Sequence, residues 1–421
     1  MRPSRLWRAL GASAPLFQVR SINHDETYDD TRLTSVTVNR GTTMRGFSGS
    51  AGSFTLAGPV PSLTTAREQR VFVELTAHGL DRIEAAGLTR ESDTYRRFHG
   101  RVTGQTTTDR GDTHTPTTVV DMQDWTSLAM SLDKGGRVHT DARGLSKLVE
   151  SFYDRAGRGL IGSQWGSSWM VAEWPDGNTE PYLVLSSSDV ARYVADAGML
   201  VRSTRMGDLT VFSHDHLVQT AETWADLWPD TLQRSQVLRP ISWTQPDTTS
   251  TITTYKKINA TGSLITGTVT IGDPEYAVRV EDLDLTHIRE QGDGLNDVII
   301  ARASENGPDR PAPERVKVDL LGLIERGLPA DLATVSQLIN ADQGDVIALA
   351  YDWPDPVVGV LFLRTMTETI TPDEWSIELD LTPANLVTGR PVPPVQGRTW
   401  HSAYPRVTTW QATNPDRWDD R

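Results

Sequence analysis

The sequence contains no cysteine. Disulfide stapling, thiol catalysis and thiolate-held metals are therefore excluded. No stretch approaches the roughly 18 apolar residues of a membrane-spanning helix, so no integral membrane segment is expected. Positive charge is in deficit: 41 Lys and Arg stand against 55 Asp and Glu, a formal net charge of −14. Tight duplex binding needs a basic footprint that releases counterions, and this chain has none overall. Histidine is also scarce, at 9 residues. No G-x-S-x-G elbow and no H-E-x-x-H occur. Gly159-Leu160-Ile161-Gly162-Ser163-Gln164-Trp165-Gly166 has the glycines of a phosphate loop but not its Lys-Ser/Thr, and reads as a plain Gly-rich turn. At the start, Ala12-Ser13-Ala14 has the shape of a signal-peptidase site. Arg8 interrupts the apolar run before it, so no secretion signal is expected.

What is present is a soluble globular composition, 37% hydrophobic and 23% charged. A chain of 421 residues exceeds one ordinary core, and two to four domains are expected. The dominant pattern is β and comes twice. Residues 98–125 and 361–385 each begin with a hydrophobic strand that turns Thr-rich, then a polar turn, then a returning strand ending near an Asp. Before each lies another alternating strand, Arg70–Leu75 and Asp345–Ala350. Two origins are open: an internal duplication, or two unrelated antiparallel sheets.

Short strands separated by polar turns at Leu33–Val38, Ser53–Leu56, Arg70–Thr76, Arg97–Gln105 and Thr117–Asp121 predict a barrel or sandwich. The period then changes. Asp124–Leu132 and Asp141–Arg155 fit helices. Ser188 can cap a helix carrying Val190, Tyr193, Val194 and Ala197, with Gly198 as its stop. A hairpin around Met206-Gly207-Asp208 joins Met199–Ser203 to Leu209–Phe212. Strands return at Ser250–Ile258, Thr266–Ile271, Tyr276–Leu283 and Asp297–Ala303, and, after a helix at Asp331–Asn340, at Asp345–Ala350, Val358–Thr369 and Trp375–Leu381. The fold class is mainly β with an α+β middle domain: two tube-type antiparallel β-barrels flank a mixed domain. The domains are an N-terminal arm at 1–31, a first barrel at 32–125, the mixed domain at 126–235, a second barrel with a short helix at 236–388, and a C-terminal arm at 389–421.

Candidate chemistry is sparse. His214 and His216 in Ser213-His214-Asp215-His216, two apart at a predicted strand end, would share a face and reach one Zn²⁺ if a third ligand joined them. Polar residues are ordinary at strand ends. The carboxylates Glu281/Asp282/Asp284 and Asp352/Asp355 have the residue types of a glycosidase pair, but acidic residues on strand faces are usually solvated. Trp165, Trp169 and Trp174 suit sugar stacking or, more commonly, core and subunit contact. No catalytic, cofactor-binding or metal residue is assigned.

The order of these pieces resembles the tail hub, or baseplate hub, proteins of tailed bacteriophages, often labelled minor tail proteins in phages of actinobacteria. Phe98-His99-Gly100-Arg101-Val102 leading to Val119-Val120-Asp121 and a helix is similar to that family's first barrel. Ser186–Phe212 is similar to its middle domain. Gly344-Asp345-Val346-Ile347, with Thr369-Ile370-Thr371-Pro372-Asp373-Glu374-Trp375-Ser376-Ile377-Glu378-Leu379, is similar to its closing segment. The resemblance covers roughly residues 30–390. It implies a structural protein of the virion tail tip, assembled in the host cytoplasm, with no cofactor and no enzymatic role. Two related barrels from each of three subunits would form a ring that continues the tail tube. The expected partners are its own copies in a homotrimer and the distal tail, tape-measure and tip or receptor-binding proteins. Phage DNA passes only in transit. No lysozyme or peptidase insert is recognisable. The alternatives are a carbohydrate- or receptor-binding tail protein and a cell-wall hydrolase.

Overall fold

The computed structural model describes residues 4–390 apart from 22–25, 61–69, 90–94, 110–114, 128–135, 140–162, 165–169, 172–181, 186, 224–231, 245–249, 260, 290–293, 306–311 and 352–356. The chain opens with a short helix, α1 (Arg5–Ala9), whose Ser4 hydroxyl accepts the Trp7 amide as an N-cap. Eight strands follow: β1 (Phe17–Ser21), β2 (Glu26–Asp29), β3 (Leu33–Arg40), β4 (Gly46–Ser48), β5 (Ala51–Ala57), β6 (Arg70–Leu75), β7 (Arg96–Thr108) and β8 (Thr117–Gln123). Helix α2 (Ala77–Ala85) lies between β6 and β7, with the Gly79 amide donating to the Thr76 hydroxyl. In β3, Val36 and Val38 are buried while polar residues alternate with them. That period of two fixes which face meets the core.

The middle of the chain supplies β9 (Gly136–His139), β10 (Ser163–Gln164), β11 (Met170–Val171), β12 (Tyr182–Leu185), α3 (Ser187–Asp196), β13 (Leu200–Ser203), β14 (Leu209–Phe212), α4 (His214–Glu222) and β15 (Leu232–Gln233). The predicted stripe Val190, Tyr193, Val194 and Ala197 is buried, and Gly198 takes φ 67° just past the helix end. Strand β13 pairs antiparallel with β14 and parallel with β4, so a strand from the connection between β3 and β5 joins the separate sheet β10-β14-β13-β4. Gly207, at φ 85° in the hairpin turn, leaves no room for a Cβ against the His99 ring of β7.

The last part comprises β16 (Leu238–Thr244), β17 (Thr251–Ile258), β18 (Leu264–Ile271), β19 (Val278–Arg289), α5 (Gly294–Glu305), β20 (Ala312–Asp319), α6 (Leu320–Arg326), α7 (Pro329–Asn340), β21 (Val346–Tyr351), β22 (Val357–Thr371), β23 (Glu374–Pro383) and α8 (Ala384–Thr388). Strands β17 to β19 were expected in a second barrel. They instead leave the main sheet and form a separate one, ordered β11-β19-β17-β18. Leu283, Leu285 and Ile288 of β19 share a core with Val190 and Val194 of α3. Alternation marks a half-buried strand but does not say which sheet it joins. Asp297–Ala303, expected as a strand, lies in α5. Its β-branched run misleads, while Leu295, Val298 and Ile299 are buried at helical spacing.

The main sheet runs β16-β20-β23-β22-β3-β5-β8-β7-β6-β1-β2, with β21 also on β22 and β15 on β21. It contains one topology twice. In the first half β3, β5, β6, β7 and β8 lie in the spatial order β6-β7-β8-β5-β3, all antiparallel. In the second, β16, β20, β21, β22 and β23 lie in the order β21-β22-β23-β20-β16, again all antiparallel. The register agrees as well. Thr103 is skipped between Val102 and Gly104 in the β7–β8 ladder, and Arg364 between Leu363 and Thr365 in β22–β23. Each bulge residue is exposed, and the next pairing is with an aspartate, Asp121 or Asp380. Aligned on the bulge, Arg70 of β6 matches Val346 of β21, one residue along from the expected Asp345. Side chains hardly agree: along β7 and β22 only Thr106/Thr367 and Thr108/Thr369 coincide. The strand ladders among the described residues form open sheets, with no closed barrel.

The N-terminal residues, expected as an arm ordered by neighbours, are fixed on their own chain. The Leu6 amide donates to the Pro372 carbonyl at 2.9 Å, and the Arg5 amide to Asp373 at 3.0 Å. The Arg5 guanidinium meets Asp319 and Glu325. Leu6 and Leu10 are buried, and the Trp7 indole N–H donates to Asp30. The C-terminal arm from 391, with Trp400, Trp410 and Trp418, and the predicted helix Asp141–Arg155 lie outside the described residues. The helix predicted from Asp124 begins at Trp125, and its part beyond Ser127 lies outside them too.

Asp124 follows β8 and accepts the amides of Ser50 (2.8 Å) and Ser127 (2.7 Å). Burial nevertheless pushes its pKa up from 3.8 to about 6. The folded chain thus holds this proton more tightly than the unfolded one. The resulting stabilisation is complete below the unfolded value and is lost as pH rises through about 6. Asp124→Asn removes that dependence. Between pH 4 and 7, wild type should lose about 2 kcal/mol relative to the variant. Denaturant titrations of both proteins across that range check it.

Candidate functional site

The two halves meet where β22 pairs with β3, from Met366 opposite Arg40 to Ile370 opposite Val36. Strand β22 is long enough to serve two neighbours on one edge. Its first part pairs with β21 and its second with β3. Met366, Glu368 and Ile370 alternate onto the buried face of the second part. A glutamate on that stripe must find partners, because an unpaired carboxylate in a core is strongly unfavourable.

Glu368 is 1% exposed, Arg97 0% and Arg40 3%. The Arg97 Nε donates to both Glu368 oxygens at 2.9 and 3.0 Å, and its Nη2 donates at 2.8 Å. Arg40 Nη2 donates to the same carboxylate at 2.8 Å and to the Arg97 carbonyl at 2.6 Å. The Trp375 indole N–H adds a further bond at 2.8 Å. Arg97 Nη1 also donates to the Ile339 carbonyl, at the end of α7. Arg205, in the β13–β14 turn, donates to the Ile339 and Asn340 carbonyls. Both guanidinium groups lie near the buried Tyr95 ring, 5.1 Å away for Arg97 and 5.8 Å for Arg205.

Burial works against the Glu368 carboxylate, but the Arg97 and Arg40 charges outweigh it and hold it below the usual glutamate range. Arg40 is pulled down to about 10, by burial and then by Arg97 beside it. Asp342 stands 3.9 Å from Arg40 and offsets part of the excess positive charge. The cluster draws on β3, β7, β22 and β23 with the end of α7, and the middle unit anchors at the same helix end. It is sealed from solvent and fixes geometry between elements.

The candidates read from sequence stand elsewhere. His214 and His216 are in α4, capped by Ser213, not on a strand. Two residues apart on a helix they diverge. His214 is buried, its pKa lowered to about 4 by burial and then by Arg45, while His216 stacks on Phe212. Among the described residues no three His, Asp or Glu side chains converge as a metal site. Glu281 pairs with Arg302, Asp282 with Arg279, and Asp284 accepts from Thr286. Asp352, Asp355, the Trp165, Trp169 and Trp174 group and nearly all of the Gly159–Gly166 stretch lie outside the described residues. Glu368 was missed because TMTETIT reads as a polar strand. The signal was its place between Met366 and Ile370 on one face.

Two solved structures match nearly the whole architecture. One is the 43 kDa tail protein of prophage MuSo2 from Shewanella oneidensis, with a TM-score of 0.55 at 10% identity, over 88% of this chain and 99% of that one. The other is the tail protein from Neisseria meningitidis MC58, also at 0.55 and 10%, over 89% and 98%. The chain has the fold of phage tail proteins. That tail-protein fold is reached at very low identity, and no family model and no curated protein matches the sequence. The tail-protein fold is mainly β with some helices, in several sheets.

Removing the carboxylate tests the seam. Glu368→Ala would leave two guanidinium groups buried without their counter-charge. It should cost about 3–5 kcal/mol, read as a lower denaturant midpoint with an unchanged slope.

Proposed function

We propose that the chain is a structural hub protein of a phage tail tip. It would form a ring that continues the tail tube, anchors other tip proteins for host attachment and lets DNA through. The observation that carries this reading is the repeated five-strand topology joined edge to edge at the β3–β22 seam. Two like halves per chain turn three chains into six like units. Such a ring matches a sixfold tube on one side and a threefold tip on the other. The tail-protein fold supports the same reading.

In this reading each half is a tube-type barrel unit, completed in the ring by its neighbours. The middle domain braces the ring, and the segment from 389 reaches the distal tail, tape-measure or tip proteins. A net charge of −14 favours a lumen that DNA crosses without adhering. The role is architectural, in the virion, with assembly in the host cytoplasm. It calls for no catalytic residue, cofactor or metal.

The test is a reconstruction of the assembled particle. Three copies per ring with an acidic or neutral lumen is the expected result. One or six copies, or a lumen rich in Lys and Arg, overturns it. A saturable glycan titration followed by Trp fluorescence would favour a receptor-binding protein instead. Turnover of host cell wall that disappears with one carboxylate would favour a hydrolase.

A further inference from the structure

The in-chain seam has a counterpart that no described strand covers. Aligned on the shared bulge, Thr367, Glu368 and Thr369 of β22 correspond to Thr106, Thr107 and Thr108 of β7. In β22 this part of the strand is flanked by β23 and β3. In β7 the corresponding part is flanked by β8 on one side, and β6 reaches only as far as Arg101 on the other. No described strand pairs with that edge at Thr106–Thr108, and all three residues are exposed.

The complementary edge sits at the far end of the same sheet. Strand β3, which covers β22, corresponds to β16 in the second half. Strand β16 is a terminal strand, paired among the described residues only with β20. The sheet therefore offers two open edges of matching kind, one on β7 beyond the reach of β6 and one on β16, and among the described residues they do not pair with each other within the chain. One of them repeats the acceptor side of the internal seam and the other its donor side.

We infer that the Thr106–Thr108 edge of β7 pairs antiparallel with β16 of a second copy of this chain, repeating between copies the β22–β3 joint found within one. The register follows from the repeat. Thr369 lies opposite Thr37, which pairs with Ser53 of β5. The second-half match of Ser53 is Arg315, which pairs with Ser242. Thr108 is thus opposite Ser242 of the neighbouring copy. By the same steps Thr106 is opposite Trp243, with Thr107 over the β16 irregularity between them. The contact is head-to-tail, joining unlike edges, and closes when its rotation divides a full turn.

The two joints differ in chemistry. Within the chain, the seam is dry and held by Glu368 between two arginines. Thr107 takes the place of Glu368 between copies. Backbone bonds and threonines make that joint, which lets the free chain stay soluble before assembly.

This inference rests on the ring reading, and its test separates the two. The chain has no cysteine, so a Thr108→Cys/Ser242→Cys pair can be introduced cleanly. Oxidation at high protein concentration should give reducible multimers, with peptide mapping locating a 108–242 link between chains. Either single variant should give at most dimers of like residues. Hydrogen exchange on the unmodified protein is the second readout. Amides of 106–108 and 242–244 should slow at least tenfold on going from dilute monomer to assembled ring. A three-copy ring with no 108–242 link, or with those amides still exchanging freely, overturns the strand pairing and leaves the ring standing. A link formed only within a chain, or no multimer at any concentration, also overturns it.

Discussion

The fold turns on one carboxylate. Glu368 lies at the point where the second half of the chain is laid against the first, and Arg97, Arg40 and Trp375 all donate to it. A buried ionic group does not add net stability over a well-packed apolar replacement. What it adds is exclusivity: only one register of β22 on β3 brings Glu368 under both Arg40 and Arg97. An antiparallel edge could otherwise slip by two residues and keep its apolar face inward. The arginines make such a slip strongly unfavourable. Arg97 and Arg205 both reach the Ile339 carbonyl, so the same register also sets the middle unit against the seam.

The repeated topology gives one chain two like long strands, β7 and β22, of which β22 makes the joint with β3. Strands β7 and β22 share a bulge at the same place, and a bulge bends its strand and increases its twist. The bend ends the pairing with the short strand on one side and re-aims the rest of the long strand toward a new neighbour. A charge-bearing face makes one such joint permanent. In the joint inferred between copies a threonine-bearing face takes that place. Only two side chains coincide along those strands, so what the two halves share is backbone pattern and burial, and their surface chemistry differs.

Much of this architecture was legible beforehand, for definable reasons. The helix Ser187–Asp196 and its hairpin were readable because an apolar stripe and two glycines agreed, although Ser188, expected as the cap, lies inside the helix. The twofold β pattern was readable because hydrophobic-then-threonine strands are unusual. Sheet membership was not: Ser250–Ile258 alternates as cleanly as any strand, yet its sheet belongs with α3. Helix α5 was hidden by a Val-Ile-Ile run whose local preference is β and whose tertiary setting is helical. The arginine–glutamate cluster was invisible because its members are 271 and 328 positions apart, a separation that no local pattern encodes. His214 and His216 failed as a ligand pair because two positions along a helix point them about 200° apart, to different neighbours.

The way Arg5 and Leu6 grip the Thr371–Glu374 turn has a consequence for how the molecule is made. The first described residues close against a turn near the last described ones, and β3 gains its second neighbour only when β22 arrives. A chain emerging from the ribosome N-terminus first therefore cannot finish its first half until the second has been synthesised. Contacts across more than 300 positions carry a large loop-closure penalty and slow the final step. Through that interval the edge of β3 is bare, and it is the surface on which a chaperone, or a premature encounter between two nascent chains, would act.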